Sequence, residues 1–275
     1  MSEEPRGGAR NRIAGDASGV VQAGHVHGDV HVHARPVARP FDGRVVVGDL
    51  PRRPAAFQPR TALVDRLAAT AFAVLVGARG TGKTQLAAAY ARTAIEDGWR
   101  AVVWIDATDH DSTALGWQRL GQALDPNSSD GTVTDVAEAA REWLEGAADR
   151  ALVVFDNAVD PDVVARWLPR HGPARVVVTT TDHAIADFGT AIALDLFDWR
   201  ESLAYLRERT GSTDEEGALR LVAEVDRLPL ALALAAALVR RQRITYEVCV
   251  QRLRAFPVER YLPRHPGDPY PRGVA

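Results

Sequence analysis

The chain is poor in several residue types at once, and each shortage removes a class of protein. Its 275 residues include one cysteine, Cys249, so no internal disulfide can form and a disulfide-built secreted scaffold is excluded. The first twelve residues, MSEEPRGGARNR, lack the apolar centre of a secretory signal. The longest apolar run, 228–239, has 12 residues and is too short to cross a bilayer. No excess of positive charge exists: 33 Lys+Arg stand against 36 Asp+Glu, a net charge of −3, so the whole surface carries no nucleic-acid footprint. The expectation is a cytoplasmic protein with no membrane or nucleic-acid partner. What remains is ordinary globular composition, 46% hydrophobic and 25% charged, with ample material for a core.

The most informative shortage is lysine. Lys83 is the only one, and every other cationic side chain of this type is arginine. A planar guanidinium cannot replace a compact ammonium where a point charge is required, so position 83 marks a site with that requirement.

From residue 71 onward short apolar runs alternate with helical segments. AFAVLV (71–76), AVVWI (101–105), ALVVF (151–155), RVVVT (175–179) and AIAL (191–194) read as strands. Helical candidates lie between them at 83–97, 112–124, 134–146 and 160–168. Near-continuous apolar strands alternating with helices predict a parallel sheet covered on both faces. Past Asp198 only helical periodicity appears, at 199–210, 214–226, 230–242 and 245–255. The predicted fold class is therefore α/β, a parallel sheet with helices on both faces followed by a small helical domain. The expected divisions are an N-terminal Gly/His/Val segment (1–34), a Pro/Arg-rich extended linker (35–60), the α/β domain (61–197), the helical domain (198–256) and a tail (257–275).

GARGTGKT at 77–84 matches the phosphate-loop pattern G-x-x-x-x-G-K-[ST] in full, directly after one strand and opening a helix. Gly77, Gly80 and Gly82 allow a tight turn whose N–H groups face phosphate oxygens, and the helix adds its positive end. Lys83 would reach the β and γ phosphates, and Thr84 would offer a hydroxyl to Mg²⁺. Thr81 and Gln85 complete the candidate nucleotide-binding run. ALVVFDNA (151–158) supplies the acid that such a site needs: Asp156, at a strand's C-terminal end, is the second candidate magnesium ligand. The next residue, Asn157, is neutral and can orient water but not take its proton, which predicts slow ATP hydrolysis. Lys83, Asp156 and Asn157 form the candidate catalytic set.

PAAFQPRTALVDRL (54–67), the phosphate loop, WRAVVWIDA (99–107), ALVVFDNA, RVVVTTT (175–181) and RLPLALALAAAL (227–238) follow in an order that resembles the NB-ARC family. That family is the nucleotide-switch module of apoptotic ATPases, plant resistance proteins and bacterial signal-transduction ATPases with numerous domains (STAND). The resemblance covers roughly 54–255. It implies that ATP or ADP with Mg²⁺ is the ligand, that Arg60 folds over the adenine, and that Thr180 belongs to a γ-phosphate-sensing Thr-Thr-Arg run. Thr181 stands at the arginine position of that run. It also implies that Pro229 of the Leu-Pro-Leu motif packs on the base or ribose, with Arg227 where the family has glycine, and that 257–275 begin a winged-helix region cut short. Self-association on activation follows from the same resemblance. The alternative is the ATPase module of a STAND-type transcription regulator.

NRIAGDASGVVQAGHVHGDVHVH (11–33) resembles the short amyloid-signalling motifs that precede some bacterial NB-ARC modules. Stacked strands could bury Val20, Val26, Val30 and Val32 and pair homotypically with an effector. His25, His27, His31 and His33 also permit a metal site, and a solvated flexible tail accommodates the same composition. All three readings stay open. The Arg240, Arg241, Arg243 cluster reads as the cationic end of a helix.

Overall fold

The computed structural model describes residues 43–126, 132–146 and 150–255. The N-terminal motif with its four histidines and the 257–275 tail lie outside these residues.

The elements run β1 (Val45–Val47), α1 (Thr61–Ala69), β2 (Phe72–Val76), α2 (Lys83–Glu96), β3 (Ala101–Asp106), α3 (His110–Leu124), α4 (Val133–Gly146), β4 (Ala151–Ala158), α5 (Pro161–Trp167), β5 (Arg175–Thr180), α6 (His183–Ala186) and β6 (Thr190–Ala193). The remainder is helical: α7 (Trp199–Thr210), α8 (Glu215–Glu224), α9 (Pro229–Gln242) and α10 (Tyr246–Ala255). The six strands form one sheet in the order β1-β3-β4-β5-β2-β6, and every pairing is parallel. Because each parallel neighbour requires a crossover, helices cover both faces and the strands are apolar through their centres, with polar residues at their ends.

The period of two divides the sheet's side chains between two cores. Val103, Ile105, Val153, Phe155, Val74 and Val76 face one side, where Trp117, Leu120 and Leu144 of α3 and α4 close over them. Val102, Trp104, Leu152, Val154, Ala73 and Leu75 face the other, against Leu86, Ala87 and Tyr90 of α2. A third core, centred on Leu206, Leu221, Leu232, Ala235 and Cys249, belongs to α7–α10. Helix starts are set by side chains. Asp198 and Glu201 form a reciprocal capping box on α7, Asp160 caps α5 just before Pro161, and Pro229 opens α9, where a missing N–H costs nothing.

Five features depart from the sequence reading, one of them the unanticipated short helix α6. Part of the 35–60 stretch, read as linker, is sheet: Val45–Val47 pair with Ala101–Val103, three valines too short to register as a strand beside so many prolines. Helix α1 was not anticipated, since its apolar face is narrow and Leu67 is its one buried residue. Strand β4 runs past Asp156 to Ala158 through a bulge. Helix α8 ends at Glu224, not 226, because Asp226 and Arg227 adopt φ of 49° and 57°. That left-handed geometry explains why glycine suits position 227; here the Arg227 guanidinium lies 5.7 Å from the centre of the Trp199 ring.

Cys249 is fully buried in the helical core, and burial pushes its thiol up to about 11 against the weaker opposing pull of Arg252. At pH 8 about one thiol in a thousand would be ionised. A disulfide reagent should therefore label the native protein at least ~100-fold more slowly than the urea-unfolded chain. Equal labelling rates would place Cys249 on the surface and contradict this packing.

Candidate phosphate and metal site

The loop between β2 and α2 is held by close backbone approach. A Cβ at Gly77 would lie 2.4 Å from the Leu194 carbonyl oxygen, so only glycine lets β2 turn there beside the end of β6. Gly82 caps α2 at φ 97°, and a Cβ there would meet nothing within 4 Å: the space in front of the helix N-terminus is open. Lys83 bridges the loop, its Nζ donating to the carbonyls of Gly77 (2.8 Å) and Ala78 (2.9 Å). Burial lowers its pKa; Asp156 opposes that and Arg79 adds to it. Thr81 donates its hydroxyl to the Ala78 carbonyl at 3.0 Å and so stiffens the same turn.

Asp156 closes the site from β4. It is 5% exposed, and its Oδ1 accepts from the hydroxyls of Thr84 (2.8 Å) and Thr179 (2.6 Å). The Thr179 hydroxyl accepts in turn from the Asn157 amide at 3.0 Å, fixing the bulge at which Asn157 takes φ 61°. Burial pushes the Asp156 carboxyl up, the two hydroxyls restrain it, and nearby Asp106 adds to the rise. Three elements, α2, β4 and β5, thus meet at one carboxylate.

In front of these groups lies a cavity of about 1000 Å³ lined by Gly82, Lys83, Thr84, Asp106, Asp156 and Asn157, among others. Its size suits a small-molecule ligand. A smaller hollow behind the loop is lined by Phe57, Arg60, Thr81, Gln85, Tyr205 and Pro229. Gln85 borders both hollows, and its Oε1 is buried with no hydrogen-bond partner among the described residues. An orphaned buried acceptor between two hollows fits a ligand that brings a donor. For a divalent cation, the oxygen donors fit magnesium's habit of taking few protein ligands and the remainder from phosphate and water. Among the described residues no group of three or more His, Cys, Asp or Glu is placed to hold a metal by itself.

The expected residues divide by position. Gly77, Gly80, Thr81, Gly82, Lys83, Thr84 and Gln85 form the loop and helix start, and Asp156 and Asn157 face them across the cavity. Pro229 reaches the smaller hollow. Thr180 lines the cavity, but its hydroxyl donates to the Ala158 carbonyl (2.7 Å) and accepts from the Asp182 amide (2.9 Å). Arg60 is engaged in tethering: it donates to the Asp195 (3.0 Å) and Leu196 (3.3 Å) carbonyls, pairs with Glu201 at 3.4 Å and lies over Phe197. Thr179, read only as a member of the sensing run, instead holds the acid. Asp106 and Tyr205 were not singled out for the site; for Asp106, strand register was the missing signal.

A family model described as the NB-ARC domain matches residues 60–208, more than half of the chain. Similar solved structures include a Signal Transduction ATPase with Numerous Domains with a tetratricopeptide repeat sensor from Pyrococcus horikoshii (21% identity, TM-score 0.51, covering 71% of this chain and 31% of that one). Cdc6p from Pyrobaculum aerophilum aligns at 15% identity and TM-score 0.54 over 71% of this chain and 65% of its own. The Orc1 protein of Aeropyrum pernix, solved in complex with DNA, aligns at 19% and 0.52 over 74% and 66%. At these identities the likeness concerns the fold, and this chain spans about a third of the first protein and about two thirds of the others. No curated protein matches the sequence. Among the described residues no helix is long and apolar enough to cross a membrane.

Thr179→Val keeps shape and removes both hydroxyl bonds. It should cost about 1–3 kcal/mol in urea unfolding, the penalty for depriving buried polar groups of a partner. A loss below about 0.5 kcal/mol would show that the hydroxyl does not organise Asp156.

Proposed function

The chain belongs to the NB-ARC family, and from that premise we propose that it is a nucleotide switch that binds ATP and ADP with Mg²⁺. The observation that carries this reading is the placement of Lys83 and Thr84 at an open helix N-terminus, with Asp156 2.8 Å from the Thr84 hydroxyl. The loop amides would cradle the phosphates, and Lys83 would exchange its two carbonyl partners for phosphate oxygens. Thr84 and Asp156 would hold Mg²⁺, whose charge offsets that of the β and γ phosphates. The smaller hollow, with Phe57, Tyr205 and Pro229, holds only about 30 Å³ and would have to open to receive the nucleoside.

The switch reading is supported by how the helical part meets the loop. The Leu230 amide donates to the Gly80 carbonyl at 3.1 Å, joining the first turn of α9 to the phosphate loop itself. A ligand that shifts the loop therefore acts on the helical part, which is what a change from ADP to ATP requires if it is to expose a self-association surface. Hydrolysis is slow on this reading, below the roughly 1–100 s⁻¹ of dedicated kinases, because Thr181 stands where an arginine would meet the γ phosphate and Asn157, next to the metal ligand, cannot itself act as a base. The 11–33 segment would pair homotypically once clustered, and defence or signal transduction in a bacterium is the matching role.

Calorimetry with ADP tests the assignment. Lys83→Ala and Lys83→Arg should each weaken binding by at least ~100-fold, about 2.7 kcal/mol, since the arginine fork is bulkier and cannot act as a point charge. Full affinity in either variant would contradict it.

A further inference from the structure

With a neutral residue after Asp156, the site needs another group to take a proton from water, and the sheet provides one. Strands β3 and β4 are paired in register from Ala101–Ala151 to Asp106–Asp156, so the two aspartates end adjacent strands side by side. Alternation then decides which way they face. Val102, Trp104, Leu152 and Val154 lie in the core on the α2 side, and two residues further along the same face come Asp106 and Asp156. Residue 157 falls on the opposite phase of the pleat and reaches the cavity only through the left-handed bulge. Asp106 is exposed in the wall of the same large cavity as Lys83 and Thr84. One of its oxygens, Oδ1, is fixed by Thr108, whose amide donates at 3.1 Å and whose hydroxyl donates at 2.5 Å. Oδ2 accepts no hydrogen bond among the described residues.

We propose that Asp106 is the catalytic base of this ATPase, taking over the role that the neutral Asn157 cannot fill. The inference rests on the reading of the site as an ATP site. In the step it describes, the free Oδ2 of Asp106 accepts one proton from a water molecule. The water oxygen forms a bond to the γ phosphorus while the bond from that phosphorus to the β–γ bridging oxygen breaks. ADP leaves with that electron pair, and the proton passes from Asp106 to the phosphate product, so no other reactant is consumed. Asp156 and Thr84 keep the metal role, which separates the two carboxylates: one is hydrogen-bonded and buried, the other is exposed with a free oxygen.

The test is single-turnover ATP hydrolysis, together with the mass of the nucleotide retained by the purified protein. Asp106→Asn should lower the rate about 10²–10⁴-fold, the usual contribution of a positioned base. It should bind Mg²⁺ and ATP within about threefold of the unaltered protein and retain ATP where the unaltered protein retains ADP, while Asp106→Glu should recover part of the rate. Asp106→Ser provides a second test if the asparagine variant unfolds earlier in urea. Three results overturn the proposal: an unchanged rate in Asp106→Asn, loss of Mg²⁺-dependent ATP affinity in Asp106→Asn, or no hydrolysis by the unaltered protein. Full ATP affinity in Lys83→Ala overturns the site reading itself, so the two failures are distinguishable.

Discussion

Everything at the C-terminal edge of the sheet depends on one buried carboxylate. Asp156 accepts from Thr84 of α2 and Thr179 of β5 while sitting at the end of β4, so the helix that follows the phosphate loop is tied to two strands by a pair of short hydrogen bonds. A buried charge of this kind is costly unless its lone pairs are satisfied, and its hydrogen-bond donors are hydroxyls, with the Lys83 ammonium near enough to interact by charge. Hydroxyls can rotate. The same oxygens that stabilise Asp156 without a ligand can turn toward a metal, so the cluster holds its geometry and still allows exchange. Lys83 behaves alike, bonded to two loop carbonyls that it can relinquish to phosphate.

The second constraint joins this edge to the helical part. Arg60 gathers the chain entering α1 onto the Asp195–Phe197 segment and onto Glu201 of α7, at the point where the sheet ends and the helices begin. On the other side of the loop, Gly80 accepts from the first turn of α9. The segment between the two parts is thus anchored beside the smaller hollow, and the helices touch the phosphate loop directly. A movement of the loop by a fraction of an ångström has a short route to α9, because packed interiors transmit displacement and do not absorb it.

The parts of this arrangement legible in the sequence are those written locally. Five strands were visible as apolar runs and the phosphate loop as a complete motif, because both depend on contiguous residues. Other features depended on partners distant in sequence. Val45–Val47 become a strand only by pairing with β3, more than fifty residues on. Arg60 could be placed beside a base by family likeness, but its carbonyl partners lie 135 and 136 residues away. Asp106 was quoted within a strand run and given no role, because its significance arises from register with Asp156 and from the face that alternation assigns it. Thr179 and Thr180 read as equivalent; the bulge in β4 separates them, giving one hydroxyl to the acid and the other to backbone.

The claim on which the rest stands is that a nucleoside phosphate occupies this loop. Native mass spectrometry of the purified full chain, before and after addition of ATP and Mg²⁺, measures it directly. The account predicts one ADP or ATP per chain, and loss of that mass in Lys83→Ala. A spectrum showing only the bare chain, unchanged by excess nucleotide and Mg²⁺, would contradict it.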